Sequence, residues 1–97
     1  MKKILILMFM ILSIISLSET GIATYYGTKG MTAAHKTLPF GTKVRVTNLR
    51  NGKSVVVTIT DRGPFTKGRI IDMSKASFSK IENPSAGITK VTIEVIN

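Results

Sequence analysis

The chain has 97 residues, with 14 Lys and Arg against 5 Asp and Glu, a formal charge of +9, one His and no Cys. That length holds one small domain and excludes a multidomain enzyme with its own cofactor module. Without cysteine there is no disulfide frame or thiolate metal site, and one His builds no His-rich zinc site, so neither a metal nor an organic cofactor is expected.

Met1-Lys2-Lys3 is followed by a 14-residue apolar run, Ile4–Leu17. A membrane-spanning helix needs about 20 apolar residues, so this run reads as the core of a signal peptide. The small residues Ser16 and Ser18 flank Leu17 in a cleavage box, which gives a leader over 1–18 and an exported domain over 19–97. A membrane association follows only if the segment stays uncleaved, and no Cys is present to carry a lipid.

Gly21-Ile22-Ala23-Thr24-Tyr25-Tyr26 has the character of a short strand, and Met31 to His35 is ambiguous. Pro39 makes Leu38–Gly41 a turn. Lys43–Asn48 alternates polar and apolar residues with Val44 and Val46 on one face, the pattern of a half-buried strand. Asn51-Gly52 then predicts a hairpin into the β-branched run Ser54–Thr60. Arg69–Asp72 is a further strand. Ser74 is placed to cap a helix over Lys75–Ile81, which Asn83-Pro84 ends. Val91, Ile93 and Val95 alternate within a last strand, Thr89–Ile96. Five or six short strands with one small helix predict an all-β barrel. A weak likeness between Gly41–Val46 and Gly87–Thr92 suggests an internal repeat.

Of the five carboxylates, Glu19 and Glu82 read as solvated, Glu94 sits on the polar face of the last strand, and Asp72 reads as a turn organiser. Asp61 ends an apolar strand and opens a Gly-Pro turn, where a side chain is held yet meets a ligand. His35 is the one side chain that titrates near neutrality unaided, although a lone His is more often a packed one. Tyr25 and Tyr26 face opposite ways on a strand, so one of them at most lines a groove. The positive charge suits an anionic partner, but no phosphate loop or RNA-binding motif accompanies it, so nucleic acid is not the expected partner.

The blocks Thr32-Ala33-Ala34-His35-Lys36-Thr37-Leu38-Pro39-Phe40-Gly41, Asn51-Gly52-Lys53-Ser54, Asp61-Arg62-Gly63-Pro64-Phe65 and Gly68-Arg69-Ile70-Ile71-Asp72-Met73-Ser74 closely resemble the rare lipoprotein A (RlpA) family. The likeness runs over Gly21 to Asn97. It implies a six-stranded double-psi β-barrel, the fold of expansins, and endolytic lytic transglycosylation of peptidoglycan strands poor in stem peptides. It implies Asp61 and His35 as catalytic residues, with Tyr26, Thr32, Lys36, Arg62 and Phe65 binding the glycan. The protein is then exported, to the periplasm or the cell wall. Two features depart from the family pattern. The Glu-bearing segment between the Tyr-Tyr-Gly strand and the Ala-Ala-His block is replaced by Thr28-Lys29-Gly30-Met31, and no SPOR domain follows the barrel within the 97 residues. An expansin-like, non-catalytic wall-binding module is therefore the alternative reading.

Overall fold

A computed structural model describes residues 18–27 and 29–96. The leader expected over 1–18 lies outside the described residues except for Ser18. Six strands form in chain order: β1 (Ser18–Tyr26), β2 (Thr32–Ala34), β3 (Lys43–Asn48), β4 (Ser54–Asp61), β5 (Arg69–Ser74) and β6 (Thr89–Ile96). They close into a barrel in the order β1-β5-β2-β4-β3-β6. β1 runs parallel to β5 and β2 to β4, while the other neighbours are antiparallel. Closure removes the open edges that a small cysteine-free sheet would otherwise expose.

Alternation decides which side chains fill the barrel. Ala23, Ala33, Val44, Val46, Val57, Ile59, Ile71, Met73, Val91 and Ile93 point inward and are buried. Phe78, at the end of a short helix, α1 (Lys75–Phe78), and Ile81 are fully buried and join the same core cluster. Tyr25 packs there too, its ring 4.8 Å from that of Phe78 and its hydroxyl donating to the Pro84 carbonyl at 2.8 Å. Tyr25 is thus the packed member of the tyrosine pair.

The hairpin at Asn51-Gly52 is present, with Val46 opposite Val55 and Gly52 at φ 76°, a conformation glycine adopts without strain. The two similar segments lead into β3 and β6, which lie side by side and antiparallel. β4 runs one residue past Thr60 to Asp61 and β5 two residues past Asp72 to Ser74, and three further boundaries differ from the sequence reading. β1 starts at Ser18, three residues before Gly21, because Ser18, Glu19 and Thr20 pair with Glu94, Ile93 and Thr92 of β6. The ambiguous Met31–His35 stretch contains the three-residue β2. The helix stops at Phe78 rather than Ile81, since Asn48 and Asn51 each donate to the Ile81 carbonyl, at 2.8 and 2.9 Å, and draw the chain into tighter turns.

Candidate functional site

Four neighbouring strands place one residue each on a common rung. Thr24 of β1 lies opposite Asp72 of β5, Asp72 opposite Ala34 of β2, and Ala34 opposite Asp61 of β4. The inward neighbours Ala23, Ala33, Ile59, Ile71 and Met73 fill the core, so this rung faces outward. A bulge between Ala33 and Ala34, where the register on β4 moves from Ile59 to Asp61, brings Asp61 onto that face. The two carboxylates stand one strand apart, roughly 10 Å between their strands, with only the Ala34 methyl between them.

Their environments differ. Asp61 is exposed, and its Oδ1 accepts from the Arg62 amide at 2.8 Å. Asp72 is half-buried and accepts from the Thr24 hydroxyl at 3.0 Å. Its pKa is raised, first by desolvation and in smaller part by the like charge on Asp61, against the Thr24 hydrogen bond and the Arg69 charge, which both lower it. The burial that raises a carboxyl's pKa therefore falls on Asp72. Phe65, the aromatic neighbour in the loop after Asp61, is 79% exposed.

His35 faces the other way. Its Nδ1 accepts from the amides of Thr37 and Leu38, both at 3.1 Å, which leaves the proton on Nε2 to be donated to Glu19 at 3.0 Å. Both ring nitrogens are thus engaged, at the edge of a cavity of about 280 Å³ in the mouth of the barrel. Leu38, Val44, Ile93 and Val95 form its apolar wall. The backbone amide of His35 nonetheless donates to the Asp61 carbonyl at 3.1 Å, so the His35 main chain ties down the strand end that carries Asp61.

The remaining positions divide similarly. Tyr26 and Thr32 lie two residues from Thr24 and Ala34, on the carboxylate face. Lys36 is exposed just beyond β2. Arg62 turns away from the carboxylates and donates to the carbonyls of His35 and Leu38, at 3.2 and 2.7 Å. The residues missed from the sequence are Asp72 and Glu19. Asp72 had a usable signal: a lone carboxylate between Ile71 and Met73, both of them core residues, must face outward if the segment is a strand. Among the described residues no three His, Cys, Asp or Glu side chains converge as metal ligands.

A family profile for lytic transglycolases matches residues 15–93. The endolytic peptidoglycan transglycosylase RlpA of Pseudomonas aeruginosa is 47% identical over 92 residues, covering 79% of this chain and 27% of that protein. The same-named protein of Vibrio cholerae is 49% identical over 94 residues, covering 81% of this chain and 36% of its own. The chain thus spans about a third of the length of these relatives. Among solved structures, a variant of Clavibacter michiganensis expansin in complex with cellohexaose superposes with a TM-score of 0.71 at 20% identity, over 84% of this chain and 51% of that one. That likeness shows the fold, a double-psi β-barrel.

Proposed function

This chain belongs to the lytic transglycolase family, and from that premise we propose that it cuts peptidoglycan glycan strands by endolytic transglycosylation, with Asp72 and Asp61 carrying the chemistry. The supporting observation is the rung on which one carboxyl is desolvated and the other is exposed. Two carboxyls in unlike environments, one desolvated and one exposed, are suited to separate acid and base roles. Asp72 donates its proton to the glycosidic oxygen of the leaving N-acetylglucosamine as the bond from C1 of N-acetylmuramic acid breaks. The ionised Asp61 stabilises the oxocarbenium-like centre and takes the proton from the muramyl 6-hydroxyl as O6 closes onto C1. One C–O bond breaks, one forms, and a proton moves from O6 to the leaving oxygen, so no water is consumed and a 1,6-anhydromuramyl end remains.

His35 acts in this reading as a positioning residue for the Asp61 strand end, with Glu19 fixing its ring. Tyr26 and Thr32 contact the glycan along the groove, Lys36 meets its carboxylates, and Phe65 and Arg62 border Asp61. The family relationship supports a protein exported to the cell wall with stem-peptide-poor strands as substrate. The alternative, a barrel that grips the wall without cutting, draws on the lack of any carboxylate between Gly27 and Thr32.

The test is mass spectrometry of stem-peptide-free glycan strands after incubation with the purified protein. New 1,6-anhydromuramyl ends are expected, reduced about 10²–10⁴-fold in Asp72→Asn and in Asp61→Asn. Binding without such ends from the unaltered protein would favour the gripping barrel. Full activity in Asp72→Asn would remove the acid role assigned to it.

A further inference from the structure

Phe65 and Phe40 are the two most exposed large apolar side chains among the described residues, at 79% and 60%. Phe40 lies against Arg62, and Phe65 follows in the loop three residues beyond it. A domain this small has little apolar surface to spare, and leaving two phenyl rings in water forgoes a substantial share of the burial available to it.

Phe40 is not a loose loop side chain. The turn that presents it is pinned by the Gly41 amide donating to the Ile59 carbonyl at 2.7 Å, with Gly41 at φ 92°. The Arg62 guanidinium lies over one face of the ring, 4.4 Å from its centroid. Arg62 is itself anchored on the carbonyls of His35 and Leu38. The ring is therefore held in one orientation while most of its surface stays open, next to the residue that follows Asp61.

We propose that Phe40 is a sugar-stacking residue of the groove, forming with Phe65 an aromatic rim around Arg62 that receives the apolar face of a pyranose ring flanking the scissile bond. The proposal rests on the glycan-cleaving reading of the rung above and extends it to a residue outside the carboxylate face. A pyranose has a flat C–H face and a hydroxyl rim, so a rigid, exposed phenyl matches the first without competing for the second. Because Arg62 already holds the ring, little side-chain freedom is lost on binding.

The experiment is calorimetric titration of the protein with stem-peptide-free peptidoglycan glycan strands, using the parent, Phe40→Ala and Phe40→Trp. Phe40→Ala is expected to raise Kd about fivefold or more, and Phe40→Trp to stay within about twofold of the parent because it restores the stacking surface. The loss in Phe40→Ala should persist in about 1 M salt, where attraction between exposed lysines and an anionic strand is screened and an apolar contact is not. Thermal midpoints of the three proteins check that each is folded. Phe40→Ala binding like the parent would overturn the stacking role while leaving the carboxylate site intact. That result would turn the rim over to a protein partner. A loss that Phe40→Trp fails to restore would also overturn it. No binding by the parent would overturn the groove reading and the stacking role together.

Discussion

At Asp72 two opposing influences meet on one carboxyl: partial burial favours the protonated acid, and the Thr24 hydroxyl, donating at 3.0 Å, favours the carboxylate. Their balance sets the pH above which the proposed acid has lost its proton. Thr24→Val keeps the shape of a buried side chain and removes the donor, so the pKa of Asp72 rises further and the alkaline limb of activity moves to higher pH. A pH–rate profile on glycan strands checks the direction, and an unmoved limb would detach Asp72 from the rate. Stability follows the same sign. With its folded pKa raised, Asp72 contributes most below its unfolded pKa, and that contribution is lost as the pH climbs through the folded value. Asp61 was singled out in the sequence by the family likeness of its Asp-Arg-Gly-Pro-Phe block. A strand-end Asp before a Gly-Pro turn by itself reads as one accepting turn amides, and that much was legible. The Thr24 hydrogen bond that opposes the desolvation of Asp72 was not, since Thr24 is 48 positions away. Glu19 was hidden for the same reason: its partner His35 is 16 positions away and meets it only across the closed barrel.

Elements with a clean period were legible nearly to the residue, β3 and β6 above all, since alternation over six to eight residues leaves little choice of register. β2 was not, because three residues carry no period, and its strand character comes from lying between β4 and β5. β1 depends on a close approach that a sequence pattern does not reveal. A Cβ added at Gly21 meets Ile70 Cγ2 at 2.6 Å and the Gly68 carbonyl oxygen at 3.1 Å, beside the register shift between Ile22 and Ala23. Gly21→Ala is therefore expected to destabilise the fold by about 1–3 kcal/mol, the usual range for overpacking. Denaturant unfolding measures it, and an unchanged midpoint would mean that Ile70 moves aside freely. Because β1 and β5 carry Thr24 and Asp72, glycan affinity should fall together with stability.

For the molecule as a whole, polar ties hold together segments that the barrel alone leaves separate. Glu82, with its side chain only 8% exposed, pairs with Arg50 at 2.7 Å and also accepts from Asn48 and Thr89. Its pKa falls from 4.5 to about 2, chiefly through the hydrogen bond from Arg50 and then the Asn83 amide. A depressed carboxylate pKa contributes stability that is present above the unfolded value and is lost as the pH falls through the folded one. Glu82→Gln should therefore flatten the pH dependence of stability between about pH 4.5 and 2, as read by urea unfolding across that window, and an unchanged slope would count against the Arg50 pairing. What the sequence determined by itself was five of the six strands, the hairpin, the all-β class and, through motif likeness, the family. These follow from local periodicity, turn chemistry and contiguous residue blocks. Only the tertiary structure decided that Asp72 joins Asp61 on one outward rung, that His35 turns to Glu19 in the barrel mouth, and that Arg62 holds Phe40 open to solvent. The physical reason is that strand order and bulges place residues far apart in the chain on the same or on opposite faces, and desolvation acts only once those faces exist.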